Sequence, residues 1–308
     1  MADQALMVTS VLMYSELNRR SFVTAGLALP MLAAAAQPSR VLDVATHFYD
    51  TARPQGVPWP PKNLPVLYKP SFPARYLEAV KPYRVDGVVA IEASPWLEDN
   101  LWLLTLADHE PLIKAVVGNI APGHPDFRAA LERFSKHPLF RGIRLGGPAL
   151  ELILADAQKL ADIAFLAERG LSLDVLVSAP PQFENLAKLV ARVPSLRVIV
   201  GHMPVDDSRG MQLLAKYPSI FAKVSGVVRK VNGEVPRDPA FYKKGLDELW
   251  SVFGAERLIF ASNWPTCDLI ALYPLVYEVV AGYLVGRPSV ETEAFFWQNA
   301  QKAYRLAL

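Results

Sequence analysis

The sequence predicts an α/β protein with the (β/α)8 TIM-barrel fold, a closed ring of eight parallel strands surrounded by helices. Short apolar runs alternate along the 308 residues with segments of helical composition, and eight such repeats close one barrel. Right-handed crossovers leave few other arrangements for that alternation. No Gly-x-Gly-x-x-Gly follows the first run, so the doubly wound dinucleotide-binding fold is the weaker alternative.

The predicted strands are apolar runs that end in polar or small residues, as buried parallel strands do. They occupy residues 40–47, 87–93, 115–120, 140–145, 171–177, 196–202, 220–226 and 258–261. The predicted helices occupy residues 73–81, 99–109, 127–134, 151–169, 181–193, 239–253, 273–284 and 290–307. Between the first strand and the first helix, the proline-rich segment 51–73 predicts a long loop over one rim of the barrel.

The first 36 residues are predicted to be a twin-arginine export signal that is separate from the barrel. Arg19-Arg20 precede a modest apolar run at 24–31 and a block of alanines at 33–36, which is the order of a charged region, an apolar region and a cleavage site. The apolar run is too short to span a membrane. We therefore expect a periplasmic protein with no stable membrane anchor; an amphipathic N-terminal helix is the alternative.

Met13 would place the export signal closer to a translation start, so residues 1–12 are interpreted as an over-extended reading frame. Residues 40–308 are predicted to form a single barrel domain, because no composition shift or linker interrupts them.

Charge and cysteine content exclude several function classes. The net charge is +2, from 32 basic and 30 acidic residues without a local basic cluster, so nucleic acid is not an expected partner. Cys267 is the single cysteine, which excludes intramolecular disulfides and thiolate metal clusters. The expected partner is a small-molecule substrate, and the sequence does not predict an oligomeric state.

Candidate site residues are the polar side chains at strand ends, because barrel enzymes hold their chemistry at the carboxyl ends of the strands. These residues are His47, Asp50, Glu92, Ser94, Asn119, Arg144, Asp174, Ser178, His202, Lys223, Ser225, Asn263 and Trp264. We expect two histidines, a carboxylate and two cations to converge on one mouth, which is more polarity than a packing scaffold needs.

The two strand-end histidines are the first candidates. His202 follows the apolar run 198–200, and an imidazole there would bind metal, hydrogen-bond a carbonyl oxygen or transfer a proton. His47 has the same options at the end of the first strand. For either residue, a structural histidine with satisfied hydrogen bonds is the alternative.

Glu92 is a candidate general base or metal ligand, and a plain salt bridge with Arg144 or Lys223 is the alternative. Arg144 has the planar fork that suits a substrate carboxylate or a lactone oxygen. Lys223 shares one strand face with Phe221 and Ser225 and needs a partner if it is buried.

Two tryptophans are candidate substrate-binding residues. Trp59 lies in the proline-rich loop and Trp264 follows the last strand. An indole at the mouth would cover an apolar or sugar-ring face, whereas aromatic core packing is the commoner use of such a side chain.

Motifs along the chain resemble those of the amidohydrolase-related TIM-barrel hydrolases, in the sugar-lactonase-like branch that includes L-fuconolactonase and 2-pyrone-4,6-dicarboxylate lactonase. The resemblance covers residue 40 to the C-terminus. Its motifs occur in family order: Val41-Leu42-Asp43-x-x-Thr46-His47-Phe48-x-Asp50, Arg141-Gly142-Ile143-Arg144, Val198-Ile199-Val200-Gly201-His202-Met203, Lys223-Val224-Ser225-Gly226, Arg257-Leu258-Ile259-Phe260-Ala261-Ser262-Asn263-Trp264-Pro265 and Asn299-Ala300-x-x-x-Tyr304-x-Leu306.

The resemblance implies a metal-dependent-hydrolase type of barrel with a lactone or similar ester at its mouth. Family members begin with Asp-x-His-x-His and end strand eight with Ser-Asp-Trp-Pro, whereas this chain has Ala45 and Asn263 at two of those positions. The missing groups are metal ligands or the water-activating base in the family. We therefore expect no essential cofactor, or one divalent metal, zinc or manganese, held by His47 and His202.

The expected function is a hydrolase that opens a lactone of a sugar acid or of an aromatic-breakdown product, with little or no metal dependence. His47 and His202 would polarise the carbonyl group and Asn263 would hold the water. An amide cannot accept a proton, so the base would be His202 or Glu92. The alternatives are a non-catalytic periplasmic binding protein on a degenerate barrel and a decarboxylase of the same superfamily, which would need a firm metal-ligand set.

Overall fold

The eight predicted strands form one parallel sheet, in chain order, in the computed structural model of the protein, which describes residues 38–202 and 208–308. The strands are β1 (Leu42–Thr46), β2 (Gly87–Ile91), β3 (Ile113–Gly118), β4 (Phe140–Gly146), β5 (Ser172–Leu176), β6 (Arg197–Gly201), β7 (Ile220–Val224) and β8 (Leu258–Phe260). The ring closes where Thr46 forms a parallel bridge with Trp264. The predicted (β/α)8 barrel is confirmed, and the predicted export signal lies outside the described residues.

The strands form where the sequence is apolar on both faces, because one face points into the barrel and the other lies under the helices. Nearly every residue of the eight strands is buried. One apolar cluster fills the interior of the barrel, from strand residues such as Val44, Val89 and Ile259. A larger cluster lies between the strands and the helices.

The helices follow the strands and surround the barrel. They are α1 (Pro73–Val80), α2 (Asp99–His109), α3 (Phe127–Ser135), α4 (Ala149–Ala155), α5 (Ala157–Glu168), α6 (Pro180–Arg192), α7 (Ser208–Ala215), α8 (Pro239–Phe253), α9 (Tyr273–Tyr283), α10 (Ser289–Glu293) and α11 (Asn299–Tyr304). A 3-10 turn (Thr266–Leu269) follows β8, and a π-helical turn (Ala294–Gln298) joins α10 to α11. None of the helices in the described ranges is both long and apolar enough to cross a membrane.

Two helix predictions need correction. The single helix predicted at 151–169 is two helices, because Asp156 is extended and its carboxylate accepts hydrogen bonds from the backbone N–H groups of Gln158 and Lys159, which begins α5. Helix α7 between β6 and β7 was not predicted; Met211, Leu213 and Leu214 give it apolar positions, but its eight residues are fewer than the window over which a helical period is recognised.

The C-terminal segment covers the end of the barrel opposite the strand carboxyl ends. The side chain of Asn299 donates to the carbonyl groups of Ala255 and Leu258, at 2.7 and 2.8 Å, next to the start of β8. Trp297 and Tyr304 are buried with the apolar cluster inside the barrel. The single helix predicted at 290–307 is therefore a broken segment that seals this end, and only the opposite end remains open for a ligand.

Candidate active site

An open cavity of about 270 Å³ lies at the carboxyl ends of the strands. It brings together four of the predicted site residues, which are His47, Arg144, His202 and Lys223. The other residues of its wall are Ala45, Ile91, Asp174, Val175, Leu176 and Gly201. Two imidazoles and two cations thus share one small space, as the strand-end positions predict.

His47 ends β1 and is almost fully buried, at 3% exposure. Its Nδ1 lies 3.1 Å from the carbonyl oxygen of Ile91 and 3.2 Å from that of Glu92. Because carbonyl oxygens only accept, Nδ1 carries the proton and Nε2 keeps a lone pair. Burial, with a further contribution from the Arg144 charge, lowers the pKa of His47 to about 3. The imidazole is therefore neutral at neutral pH.

Asn263 contacts His47 from the end of β8, and its Oδ1 lies 3.3 Å from Nε2 of the imidazole. A lone pair on Nε2 is better complemented by the NH2 of the amide, which a 180° rotation of the side chain presents. In that orientation the amide oxygen of Asn263 can hold a water molecule, but the amide cannot take a proton from it. Asn263 is half-buried.

Two site residues have left-handed backbone conformations, His202 with φ 51° and Asn263 with φ 62°. Residues other than glycine rarely adopt this region, although Asn and His do so more often than most. Such strain persists where the surroundings fix it, and it is concentrated at functional sites. At both residues it turns the chain away from the strand direction at the cavity.

His202 follows β6 and is only partly buried. Its Nδ1 lies 2.8 Å from the hydroxyl oxygen of Ser225, just beyond β7. Burial first, then the charges of Lys223 and Arg144, lower the pKa of His202 to about 3. A neutral imidazole in the cavity wall can accept a proton from a reacting molecule.

Arg144 on β4 is held by Glu92. The guanidinium donates to Oε1 of Glu92 from Nε at 2.7 Å and to the Glu92 carbonyl from NH2 at 3.0 Å. The other carboxylate oxygen, Oε2, accepts from the backbone N–H of Ser94 at 2.9 Å. With both of its oxygens bonded, Glu92 is suited to orient Arg144 rather than to act as a base, so the salt-bridge alternative from the sequence is the one that the geometry favours.

Lys223 on β7 is paired with Asp174 on β5, with 2.5 Å between Nζ and Oδ1. The hydroxyl of Tyr304, in α11, donates to the same oxygen at 2.9 Å. Burial lowers the pKa of the Lys223 ammonium, while the Asp174 carboxylate beside it works in the opposite direction. The sequence predicts Asp174 as a candidate site residue but gives it no partner, and it predicts no role for Tyr304; the available signal was a carboxylate in the middle of an apolar strand, which requires a partner.

The two candidate tryptophans have different surroundings. Trp59 is half-buried, its ring centroid lies 5.7 Å from that of His47 in an edge-on contact, and it lines a second open cavity of about 360 Å³ beside the first. Trp264 is 1% exposed and packs against Phe48 and Tyr76, with centroid distances of 6.1 and 5.2 Å. We therefore assign Trp264 to the core and correct the prediction that it binds substrate.

The donor set around the cavity does not fit a divalent metal. Within residues 38–202 and 208–308, no group of three His, Cys, Asp or Glu side chains is placed to hold one. The two carboxylates near the imidazoles, Glu92 and Asp174, are bonded to cations. Arg144 and Lys223 also bring two positive charges to the space that an ion between His47 and His202 would share, and like charges repel.

Comparison with known proteins gives consistent results. A family model described as amidohydrolase matches residues 42–306. An L-fucono-1,5-lactonase from Burkholderia ambifaria is 29% identical over 245 residues, which are 74% of this chain and 81% of that protein. Two crystal structures of an amidohydrolase from Burkholderia multivorans, one with bound HEPES and one with bound zinc, have TM-scores of 0.77 and 0.76 at 23% and 24% identity. Each covers 87% of this chain and 100% of the other, and shows a shared fold.

Proposed function

The chain belongs to the amidohydrolase family, and on that premise we propose that it is a hydrolase that opens the ring of a lactone. The observation that carries the proposal is the cavity itself, where two neutral imidazoles lie with two fixed cations at the open end of the barrel. Ester hydrolysis needs a proton acceptor for water and positive charge near the carbonyl oxygen. The L-fucono-1,5-lactonase similarity supports a sugar-acid lactone as the substrate.

His202 is the proposed general base. It is neutral above about pH 3, because burial and the neighbouring cations disfavour its charged form. Its Nδ1 contact with Ser225 fixes the ring. It would take the proton as water attacks the carbonyl carbon, and would return it to the ring oxygen as the carbon–oxygen bond breaks.

Arg144 and Lys223 are the proposed stabilisers of the negative charge that develops on the carbonyl oxygen. Both are buried in the cavity wall and each is fixed by a carboxylate, so neither must reorganise during the reaction. Arg144 also has the fork that would orient a substrate oxygen. Trp59, whose ring contacts His47, would cover one face of the substrate.

His47 takes a different role from the one that the sequence predicts. Its Nδ1 proton is directed at backbone carbonyl groups, so its free nitrogen accepts hydrogen bonds and cannot polarise a carbonyl oxygen while neutral. We assign Asn263, whose amide is oriented by Nε2 of His47, to hold the attacking water through its Oδ1.

The test is hydrolysis of a panel of γ- and δ-lactones that includes L-fucono-1,5-lactone, at pH 6 to 7 where uncatalysed opening is slow. The wild type should open at least one lactone, and His202→Ala should lower kcat by roughly 10²- to 10⁴-fold. His124→Ala, which replaces an exposed histidine, is the matched control and should keep wild-type activity. A wild type that opens no lactone faster than buffer would contradict the proposal.

The reaction is proposed to need no metal, because Glu92 and Asp174 are each paired with a cation and no group of three metal-ligating side chains is found within the described residues. Exhaustive chelation should leave kcat/KM unchanged. Loss of activity that added zinc or manganese restores would contradict this. If zinc binding and hydrolysis both appear only in the double variant Ala45→His/Asn263→Asp, the chain is a degenerate, non-catalytic barrel.

We also propose that the chain is exported through its twin arginine. The support is the order of Arg19-Arg20, an apolar run and alanines in the sequence. Replacement of both arginines by lysine should retain the protein in the cytoplasm of its host, as measured by cell fractionation. Unchanged periplasmic recovery of that variant would contradict export by this route.

A further inference from the structure

One oxygen of the Asp174 carboxylate has no hydrogen-bond partner in the described part of the chain. Oδ1 is bonded twice, to Lys223 Nζ at 2.5 Å and to the Tyr304 hydroxyl at 2.9 Å. Oδ2 is buried and without a partner among residues 38–202 and 208–308. The residue is 2% exposed and belongs to the wall of the 270 Å³ cavity.

A buried carboxylate oxygen without a donor is unfavourable, because it has lost its water and gained nothing in return. Neutralising Lys223 explains why a carboxylate is present, but it does not explain why one oxygen is left over. Glu92, which pairs with the other cation of the cavity, has donors on both oxygens. The free oxygen of Asp174 is therefore a property of this side of the cavity and not of buried ion pairs in general.

The free oxygen is fixed in space. Two donors from different elements, one on β7 and one on α11, hold the same Oδ1, so the plane of the carboxylate cannot rotate without breaking both hydrogen bonds. Asp174 also pairs in register with Arg144 on β4, which places the two residues at the same height in the barrel wall. A fixed acceptor therefore lies one strand away from a cation that would bind the reacting ester.

A lactone can supply the missing donor only through a hydroxyl group on its ring or side chain. The ester oxygens accept and do not donate, and a substrate carboxylate would be repelled by Asp174. We propose that Oδ2 of Asp174 accepts a hydrogen bond from a substrate hydroxyl, which makes Asp174 a specificity residue that favours hydroxylated lactones over rings without hydroxyl groups. This inference rests on the proposed lactone hydrolysis and deepens it by naming the residue that would select substrates for their hydroxyl groups.

The test compares two six-membered lactones in two proteins. L-Fucono-1,5-lactone carries hydroxyl groups and δ-valerolactone is the bare ring. The wild type should prefer the hydroxylated ring in kcat/KM, and Asp174→Asn should reduce that preference by about 10- to 100-fold, mainly through KM of the hydroxylated lactone, because a hydrogen bond to a charged group is lost. Any general damage to the site affects both substrates and cancels in the ratio.

Two further variants separate recognition from structure. Tyr304→Phe removes a donor from Oδ1 and leaves Oδ2 unchanged, so the preference ratio should stay within about twofold of the wild type. If Asp174→Asn alone does not fold, because Lys223 then lacks its partner, Asp174→Asn/Lys223→Gln removes both charges and should show the same loss of preference.

Three results would overturn the inference. An unchanged preference ratio in Asp174→Asn, or in the double variant, would mean that an internal water or another group satisfies Oδ2. A wild type that prefers δ-valerolactone would likewise mean that Oδ2 does not bind a substrate hydroxyl. In both cases the proposed lactone hydrolysis would still hold. A wild type that opens neither ring, nor any other lactone, would instead remove the proposed function and this inference with it.

Discussion

The two cations of the cavity, Arg144 and Lys223, each pair with a carboxylate, and the two pairs differ in where their carboxylates find donors. On the side of β2 and β4, Glu92 is bonded through both oxygens to its neighbours Arg144 and Ser94. On the side of β5 and β7, Asp174 uses one oxygen for Lys223 and for Tyr304 from the far end of the barrel. The first pair has donors on both carboxylate oxygens and is slightly more exposed, while the second leaves one oxygen free.

Two similar ion pairs in one site can therefore have different roles. Glu92 is 13% exposed in its side chain and Asp174 is 3% exposed. Water can reach the more exposed Glu92 when its partner is removed, whereas Asp174 would be left with an uncompensated buried charge. We therefore expect the β2–β4 pair to affect catalysis more than stability, and the β5–β7 pair to affect both.

The largest expected effect is on stability. Lys223→Met should lower the free energy of unfolding by roughly 3–5 kcal/mol, because it leaves Asp174 charged and buried. Arg144→Met should cost less, since Glu92 keeps the Ser94 N–H and gains water. Urea denaturation at pH 7 measures both. The double variant Asp174→Asn/Lys223→Met should recover most of the lost unfolding free energy. Equal losses in Lys223→Met and Arg144→Met would contradict the expected difference between the two ion pairs.

Burial, with a smaller contribution from the neighbouring cations, keeps both imidazoles neutral. For His47 we expect this to appear as a pH effect on stability. Its pKa is about 3 in the folded protein and 6.5 as the ordinary value, so the unfolded chain binds a proton that the folded chain refuses. Stability should fall as the pH decreases from about 6.5 towards 3, by about 3 kcal/mol at pH 4 from this group.

His47→Gln isolates that contribution. The variant should lose less stability than the wild type between pH 7 and pH 4, as measured by urea denaturation at each pH. His124→Gln, an exposed replacement, should follow the wild-type curve. Parallel curves for His47→Gln and the wild type would show that His47 is protonated in the folded state.

A smaller effect is expected for Arg144→Lys, and it concerns catalysis. An ammonium keeps the charge but loses the planar fork that Glu92 holds through Nε and NH2. We expect kcat/KM for the best lactone to fall roughly 10- to 100-fold, and the unfolding free energy to change by about 1 kcal/mol or less. A large loss of stability with retained activity would contradict the expectation that the β2–β4 ion pair affects catalysis more than stability.

The smallest expected effect is that of Tyr304→Phe on stability. Removal of the hydroxyl costs Asp174 one of its two donors and should lower the unfolding free energy by about 1–2 kcal/mol. Tyr83→Phe is the matched control, since the Tyr83 hydroxyl bonds to Glu278 at an exposed site and should cost less than about 0.5 kcal/mol. Equal losses would show that burial adds nothing to the hydrogen bond between Tyr304 and Asp174.

The fold was predictable because parallel strands are buried on both faces and stand out as apolar runs. The same rule that places chemistry at strand ends correctly grouped His47, Arg144, His202 and Lys223 around one cavity. Helix α7 was missed because eight residues are too few for a helical period to stand out, and the break at Asp156 was missed because it depends on a single residue.

The partners of the site residues could not be predicted from the sequence. Whether Glu92 pairs with Arg144 or with Lys223 depends on register and depth in the closed ring, which neighbouring residues do not encode. The orientation of Trp264 was missed for a local reason. The left-handed backbone at Asn263 breaks the alternation of the strand, so counting residues no longer tells which way the next side chain points.

The contact between Tyr304 and Asp174 has a consequence for synthesis of the chain. The two residues are 130 positions apart, and the carboxylate of Asp43 on β1 accepts from Ser262, 219 positions later. A ribosome therefore releases the first strands long before their partners exist, and until then the carboxylates of those strands have only water as a donor. The nascent chain should gain its substrate pocket only in a late, concerted step, once the last helix has emerged from the exit tunnel.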